Sequence, residues 1–255
     1  MEENNVKPWR IADPYLSSLL ILDRDDETKA DQFHGAFIPA VPRSFFLRLT
    51  APGSWTWDPF AGSGTTQRAA TGLDQRHVFM TDLHPTASDI YKADARQARV
   101  TTGHAGCPCL LAPGEDDVDL FQFDMVLLHP PYANIIKFSD DASDLSGFTT
   151  PGGFLVAFGC VVKNVVDHLK PGGFLGVVMG DIWRTGFSEW VPLAFRCVET
   201  ALDACPDLSL RAVQIKDIKG NRQDHKRNLR RARCFNAGTV EFTHEYMLTF
   251  KKVRR

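Results

Sequence analysis

No stretch of the sequence is apolar for long enough to span a bilayer; the longest runs, such as residues 172–180, fall short of the ~20 residues a membrane helix needs. The first ten residues, MEENNVKPWR, lack the charged-then-apolar layout of a secretory signal, which predicts a cytoplasmic protein with no membrane partner. An excess of one charge is missing too: 29 Lys and Arg against 31 Asp and Glu leave a net charge of −2, so the total predicts nothing about partners. Cysteine is sparse, six in 255 residues, and only Cys107 and Cys109 lie close together, with His104 as the one obvious neighbour. That excludes a disulfide framework and argues against zinc, which needs four ligands. Repeats and low-complexity tracts are absent, and 44% hydrophobic with 24% charged residues excludes disordered, collagen-like and coiled-coil chains. A chain of this length buries about three quarters of its unfolded surface, enough for a core without staples.

What is present is a succession of strand-then-helix units. Residues 15–22 read as a helix ending in the charged run 23–29. Strands are expected at 55–57, 77–80, near 89–93, and at 123–128, where a continuous apolar run implies a strand covered on both faces. A helix over 154–169 stops at Lys170-Pro171-Gly172-Gly173, and a strand follows at 174–179. The Gly, Pro and Asp-rich stretch 103–117 reads as a surface loop, and 210–215 with 241–251 as a final antiparallel pair at the sheet edge. Alternation of this kind predicts a single α/β domain over 1–255, with 1–32 as an extension, built on a doubly wound open sheet. Ligands of such sheets collect beyond the carboxyl ends of the strands. Four of those ends carry polar or glycine-rich clusters: 58–66, Asp82, Asp94 and 129–132.

The first cluster, Asp58-Pro59-Phe60-Ala61-Gly62-Ser63-Gly64-Thr65-Thr66, is the most informative. Gly62 and Gly64 allow a tight turn and close approach to a ligand, and Thr65 and Thr66 open the next helix facing the same space. It is not a Walker loop, because no lysine follows the second glycine, and it lacks the third glycine of a dinucleotide fingerprint.

This segment closely resembles the S-adenosylmethionine-binding motif of the DNA amino-methyltransferases, which modify adenine N6 or cytosine N4. Three further segments agree. His34-Gly35-Ala36-Phe37-Ile38-Pro39 resembles the family's methionine-side motif, and His129-Pro130-Pro131-Tyr132 its catalytic motif, usually Asp, Asn or Ser before Pro-Pro-Tyr. Phe242-Thr243-His244-Glu245-Tyr246 is similar to the strand with which many members close the sheet. The resemblance covers residues 33–252 and implies a Rossmann-like class I methyltransferase sheet, mostly parallel with an antiparallel edge strand and helices on both faces.

It also assigns roles. Phe37 and Pro39 lie on the methionine side of the cofactor; Asp58 holds its ammonium, above the backbone of Pro59, Phe60, Gly62, Gly64, Thr65 and Thr66. Asp82, 18 residues after Gly64, is placed either to grip ribose hydroxyls or to cap a helix at Pro85, and Asp94 either to accept from the adenine amino group or to serve the fold. An exocyclic amine is a poor nucleophile because its lone pair is delocalised into the ring. An acceptor at position 129 and the carbonyl of Pro130 draw on its two N–H groups, while Tyr132 stacks on a flipped base and Pro131 stiffens the turn.

His129 departs from the family pattern, so the target base stays open between adenine, slightly ahead, and cytosine. Only a neutral imidazole offers an acceptor, so activity is expected to fall as pH drops through the histidine pKa. The motif order, with the cofactor motif ahead of the catalytic one, bears on subclass and not on chemistry.

For the nucleic acid, eight Lys or Arg between 216 and 233 stand against Asp217 and Asp224. Within 216–236, Lys219, Arg222, Lys226, Arg227, Arg230 and Arg231 are the candidate phosphate contacts, and Lys137 is another in a second candidate segment, 133–153, read as a mobile loop over the base. Trp183 and Trp190 read as core. The expected partners are DNA and a cognate restriction enzyme or specificity subunit. The alternatives are an RNA base amino-methyltransferase and a nucleic-acid-binding module that has lost catalysis through His129.

Overall fold

A strand with no polar alternation needs cover on both faces, and the computed structural model supplies it; residues 13–22, 37–112, 115, 119–184, 189–217 and 227–253 are described. The elements run β1 (Leu19–Leu20), α1 (Ala40–Leu49), β2 (Trp55–Asp58), α2 (Thr65–Ala70), β3 (His77–Asp82), β4 (Tyr91–Lys92), β5 (Val100–Thr102), β6 (Pro108–Leu110), β7 (Phe123–Leu128), α3 (Pro151–Asp167), β8 (Leu169–Met179), β9 (Ile182–Arg184), β10 (Glu189–Val191), α4 (Leu193–Ala204), β11 (Leu208–Asp217), α5 (Arg227–Asn236) and β12 (His244–Lys252). Eight strands form one sheet in the order β1-β11-β12-β8-β7-β2-β3-β4. All neighbours are parallel except β12, which runs against both β11 and β8. Among the described residues no helix is long and apolar enough to cross a membrane.

The strands face two cores. In β7, Phe123, Val126 and Leu128 turn to one side with Trp57, Leu175 and Val177, under α3 and α4. Met125 and Leu127 turn to the other, with Val178 and Met247, under α1 and α2. Helix α3 buries Phe154, Ala157, Phe158, Val161, Val162 and Val165, spacings of three and four that form one apolar stripe. Its start carries Thr150, whose hydroxyl accepts from the Gly153 amide, followed by Pro151. Its end is capped from afar: Lys252 Nζ donates to the carbonyls of Val166 and Leu169 at 2.7 and 2.9 Å. On the opposite face Phe45 lies so close to the sheet that a Cβ at Gly176 would stand 2.9 Å from its ring.

Four expectations need correction. Residues 15–22 hold no α-helix; Leu19–Leu20 is an edge strand that pairs with Ile215 and Lys216 and buries Leu20, so tertiary pairing overrides local pattern. The described part of 103–117 is not a plain loop, because Pro108–Leu110 pairs back on Val100–Thr102 as a hairpin. Leu169 and the Lys-Pro-Gly-Gly that follows open β8 and do not belong to a helix end, since Leu169 pairs with Phe123. Trp190 is 47% exposed, with its indole N–H on Asp181 at 3.3 Å, and is not core.

One buried polar cluster ties α3 to the segment before β5. Asn164 Nδ2 donates to the carbonyls of Ala95 and Ala98. His168, fully buried, makes contacts through both ring nitrogens, to the Val100 amide and the Asn164 carbonyl, each at 3.0 Å. An N–H on the Nε2 side requires Nε2 as acceptor, so Nδ1 carries the proton. Burial pushes the His168 pKa below its ordinary 6.5, so the fold prefers the neutral ring. Stability from this group is therefore complete above about pH 6.5 and is lost as pH falls below it, where the unfolded chain takes up the proton. His168→Phe leaves the Val100 amide unpaired and is expected to cost about 1–3 kcal/mol in urea unfolding. The same variant should lose less stability than the wild type between pH 7 and 5.5.

Candidate active site

The parallel strands deliver their polar ends to one edge of the sheet. Asp58 ends β2, Asp82 ends β3, Asp94 follows β4, and His129 follows β7, which lies beside β2 in the register Trp57↔Val126. At the end of β8 comes Gly180-Asp181, and antiparallel β12 brings its first residues, His244 and Glu245, to the same edge.

The 58–66 loop is held from inside. Asp58 is 2% exposed and accepts from the Phe60 amide and the Thr66 hydroxyl at 3.0 and 2.5 Å. Burial pushes its pKa up to about 7 against the pull of those two bonds. Gly62 and Gly64 sit at φ +53° and +79°, the left-handed region that glycine enters without strain. A Cβ at Gly64 would meet nothing nearer than the Met80 sulfur at 3.8 Å, so positive φ, and not crowding, is what demands glycine there. Pro59 is buried. Thr65 and Thr66 are buried as well, and their hydroxyls serve the loop: Thr65 accepts from Arg68 at 2.8 Å.

Asp82 ties that loop to the next turn, its two oxygens accepting from the Gly62 and His84 amides at 2.9 Å each. It is half-buried and keeps lone pairs for a ligand. Asp94 is engaged by its neighbour, with Arg96 bonded to both carboxylate oxygens at 2.6–3.1 Å. Burial raises the Asp94 pKa, but bonds from Arg96 and Ser143 outweigh it and the net shift is downward.

The catalytic-motif residues form one tight turn. The Ala133 amide donates to the Pro131 carbonyl at 3.0 Å around Tyr132 at φ −86°, ψ 73°, an inverse γ-turn. Ala133, which follows, sits at φ +48°, a left-handed position that costs a β-carbon residue on the order of 1–2 kcal/mol. Pro130 is buried beside His129. The Tyr132 ring is backed by Gly180, where a Cβ would stand 2.8 Å from it, so glycine is required by close approach. The His129 ring packs 4.6 Å from that of Phe37, which brings the segment at 37–39 against the 129–132 turn; Pro39 is half-buried at the start of α1, and His34 lies outside the described residues.

A polar chain runs inward from this turn. His129 Nε2 is 3.1 Å from the Tyr132 hydroxyl, that hydroxyl donates to Glu245 Oε1 at 3.4 Å, and Lys216 Nζ donates to Glu245 Oε2 at 3.1 Å. Lys216 and Glu245 are directly opposed on β11 and β12, and Lys216 is 2% exposed. Burial pushes His129 down to about 4, the nearby Glu245 carboxylate opposing and Lys216 assisting. Burial likewise pushes Tyr132 well above its ordinary value, aided by Glu245.

Sequence reasoning missed this pair. Glu245 stood in a quoted motif without a role, and Lys216 was counted only in the basic run 216–233, from which its burial removes it. The detectable signal was a lysine directly continuing the 210–215 strand pattern, which must find a carboxylate if it is to be buried.

Lys137 is exposed and paired with Asp140. Arg231 is exposed on α5, the side chains of Arg227 and Arg230 on that helix lie outside the described residues, and so do Lys219, Arg222 and Lys226. The 133–153 segment, expected to be an irregular loop, folds around buried Asp144, which accepts from the Ser139 hydroxyl and the Ser146 amide. It rests on the strand ends through His84 Nε2 to Ser139 at 3.0 Å.

No family model matches the chain. A ribosomal protein L11 methyltransferase of Geobacter metallireducens is 28% identical over 144 residues, 54% of this chain, and the chain spans 42% of that relative's length. Among solved structures, TrmN from Thermus thermophilus superposes with a TM-score of 0.51 at 16% identity, over 86% of this chain and 50% of that one. A candidate DNA modification methylase, also from Thermus thermophilus, reaches only 0.30 at 18% identity, over 41% of this chain and 38% of that one. The fold is thus a Rossmann-like α/β sheet with helices on both faces.

Removing one member of the buried ion pair strands the other. Glu245→Leu is expected to destabilise by about 3–5 kcal/mol in urea unfolding, and adding Lys216→Met to recover most of that loss.

Proposed function

We propose that this chain is an S-adenosylmethionine-dependent methyltransferase that modifies the exocyclic amine of a nucleobase, with DNA as the substrate, adenine N6 ahead of cytosine N4, and a restriction enzyme or specificity subunit as further partner. The observation that carries the reading is the His129 to Tyr132 turn, set beside the glycine loop on the neighbouring strand and against Phe37. The methyltransferase named among the relatives supports the reaction class without reaching the substrate.

The residues present fit the cofactor. The left-handed glycines leave the loop backbone open to close approach, Asp82 retains acceptor capacity for ribose hydroxyls, and Phe37 and Pro39 would border the methionine side. When bound, S-adenosylmethionine supplies a methyl group on a sulfonium whose departure leaves a neutral thioether. Asp58 fixes the loop and offers a buried negative charge toward a cationic ligand. His129 and the Pro130 carbonyl accept the two amine hydrogens and draw the nitrogen toward tetrahedral geometry, and Tyr132 holds the base plane. The nitrogen lone pair would take the methyl group, the electron pair of the broken bond staying with the thioether, and the proton that the nitrogen sheds would pass through His129 to water. Alignment supplies most of the acceleration.

Two pH signatures follow. His129 stays neutral above about pH 4, so kcat should remain flat from pH 8 down to about 5, below the ordinary histidine range. Asp58 is pushed up to about 7, and a cationic ligand favours its ionised form. Cofactor Kd, measured by calorimetry, should therefore weaken below about pH 7 by up to about tenfold per unit, a dependence that Asp58→Asn abolishes.

The direct test is incubation with methyl-labelled S-adenosylmethionine and, in parallel, unmethylated genomic DNA, denatured DNA, total RNA and ribosomal protein, followed by mass spectrometry of nucleosides and peptides. Label in N6-methyladenine or N4-methylcytosine of DNA is the expected result. Label in RNA or protein alone overturns the substrate, and cofactor binding with no label anywhere overturns the activity. His129→Ala should keep cofactor affinity while lowering kcat by about a hundredfold or more; full activity in that variant would remove His129 from the acceptor role.

A further inference from the structure

A side-chain oxygen of Asp, Asn or Ser offers lone pairs to an amine whatever its surroundings. A neutral imidazole does not: one nitrogen accepts and the other donates, so a histidine in this position works only in one of its two tautomers. We infer that Glu245, paired with Lys216, is a positioning residue that selects the tautomer of His129 through the Tyr132 hydroxyl, leaving Nδ1 as the acceptor that faces the substrate amine.

The geometry behind this is a competition for one proton. The Tyr132 hydroxyl has two acceptors in reach, His129 Nε2 at 3.1 Å and Glu245 Oε1 at 3.4 Å. Distance alone favours the imidazole. Charge decides the other way, because a hydrogen bond to a carboxylate is roughly twice as strong as one between neutral partners, more so in a dry interior. The carboxylate is secured there by Lys216, which bonds its second oxygen at 3.1 Å and is itself buried. With its proton turned to Glu245, the Tyr132 oxygen presents a lone pair to Nε2. Nε2 must then carry hydrogen, and Nδ1 is left unprotonated. Without the carboxylate the hydroxyl turns to Nε2, the ring proton moves to Nδ1, and an N–H meets the N–H of the amine.

Among the described residues the other groups that act on His129 do not compete for this choice. Phe37 covers the ring without a polar atom, and the charged groups acting on it are Glu245 and Lys216 themselves. The low histidine pKa agrees, since tautomer selection has meaning only for a neutral ring.

The inference rests on the acceptor role proposed for His129, but the tautomer is measurable without any reaction. In 15N-labelled protein at pH 7, long-range 1H–15N correlations of the histidine rings report which nitrogen is protonated, with His129 assigned by its loss in His129→Gln. The wild type should show the Nε2–H form. The double variant Lys216→Met/Glu245→Leu, which buries no unpaired charge, should shift to Nδ1–H and lower kcat by at least about tenfold with cofactor Kd unchanged within about twofold. Should that variant fail to fold, Lys216→Met/Glu245→Gln, which keeps the volume at 245 and leaves no charge unpaired, carries the same expectation for the ring. An Nδ1–H ring in the wild type, or an Nε2–H ring that persists in the folded variant, overturns the inference. A ring that switches while kcat does not supports tautomer control and overturns the acceptor role of His129.

Discussion

Strands β2, β7 and β8 are buried on both faces, and the placement of every polar group in the site depends on that constraint. A residue inside such a strand points into one apolar core or the other, where an unpaired polar group costs kilocalories. Chemistry is confined to the points where the strands stop. Asp58, Asp82, His129 and Gly180 each stand at or just past a strand end, so parallel pairing alone gathers them along one edge. Residues as far apart in sequence as Asp58 and Gly180 are thereby assembled without any long-range recognition between them.

The same burial governs protonation at that edge. Asp58 and Tyr132 are pushed up and His129 down, each toward its neutral form and each mainly by loss of water. Glu245 and Lys216 stand directly opposite each other on neighbouring strands and are bonded at 3.1 Å. A lone buried charge costs several kilocalories per mole, whereas a neutral hydrogen bond returns about one, so a lysine in this strand pair is tolerable only with its carboxylate opposite. The pair does not rank as a gain in stability over an apolar pair of equal volume. Its retention beside Tyr132 is more readily understood through what it does to the neighbouring hydroxyl.

Legibility from sequence followed the range of the interactions. The 58–66 loop, the 123–128 strand and the 129–132 turn are written in consecutive residues, because glycine torsions, proline rigidity and two-sided burial act locally. Leu19–Leu20 was misread because a two-residue strand has no pattern of its own; it exists only through Ile215 and Lys216, at the other end of the chain. The Lys-Pro-Gly-Gly after α3 carries a strong stop signal, yet β8 begins at Leu169 and runs through it, the Val166 and Leu169 carbonyls at the passage from helix to strand being bonded by Lys252.

By itself the sequence determined the α/β class, the central strands β2, β3 and β7, and which short motifs stand at strand ends, since each depends on hydrophobic periodicity and local backbone chemistry. Tertiary structure alone decided that Lys216 is an interior residue paired with Glu245, that Phe37 closes on His129, and that Tyr132 rests on Gly180. Those outcomes depend on cross-strand register and on packing between distant segments, and a one-residue shift in pairing would turn Lys216 from the core to solvent. Nothing in the local sequence specifies that register; the burial of one face of β11 does, with Gln214 and Lys216 inward and Ile215 38% exposed between them.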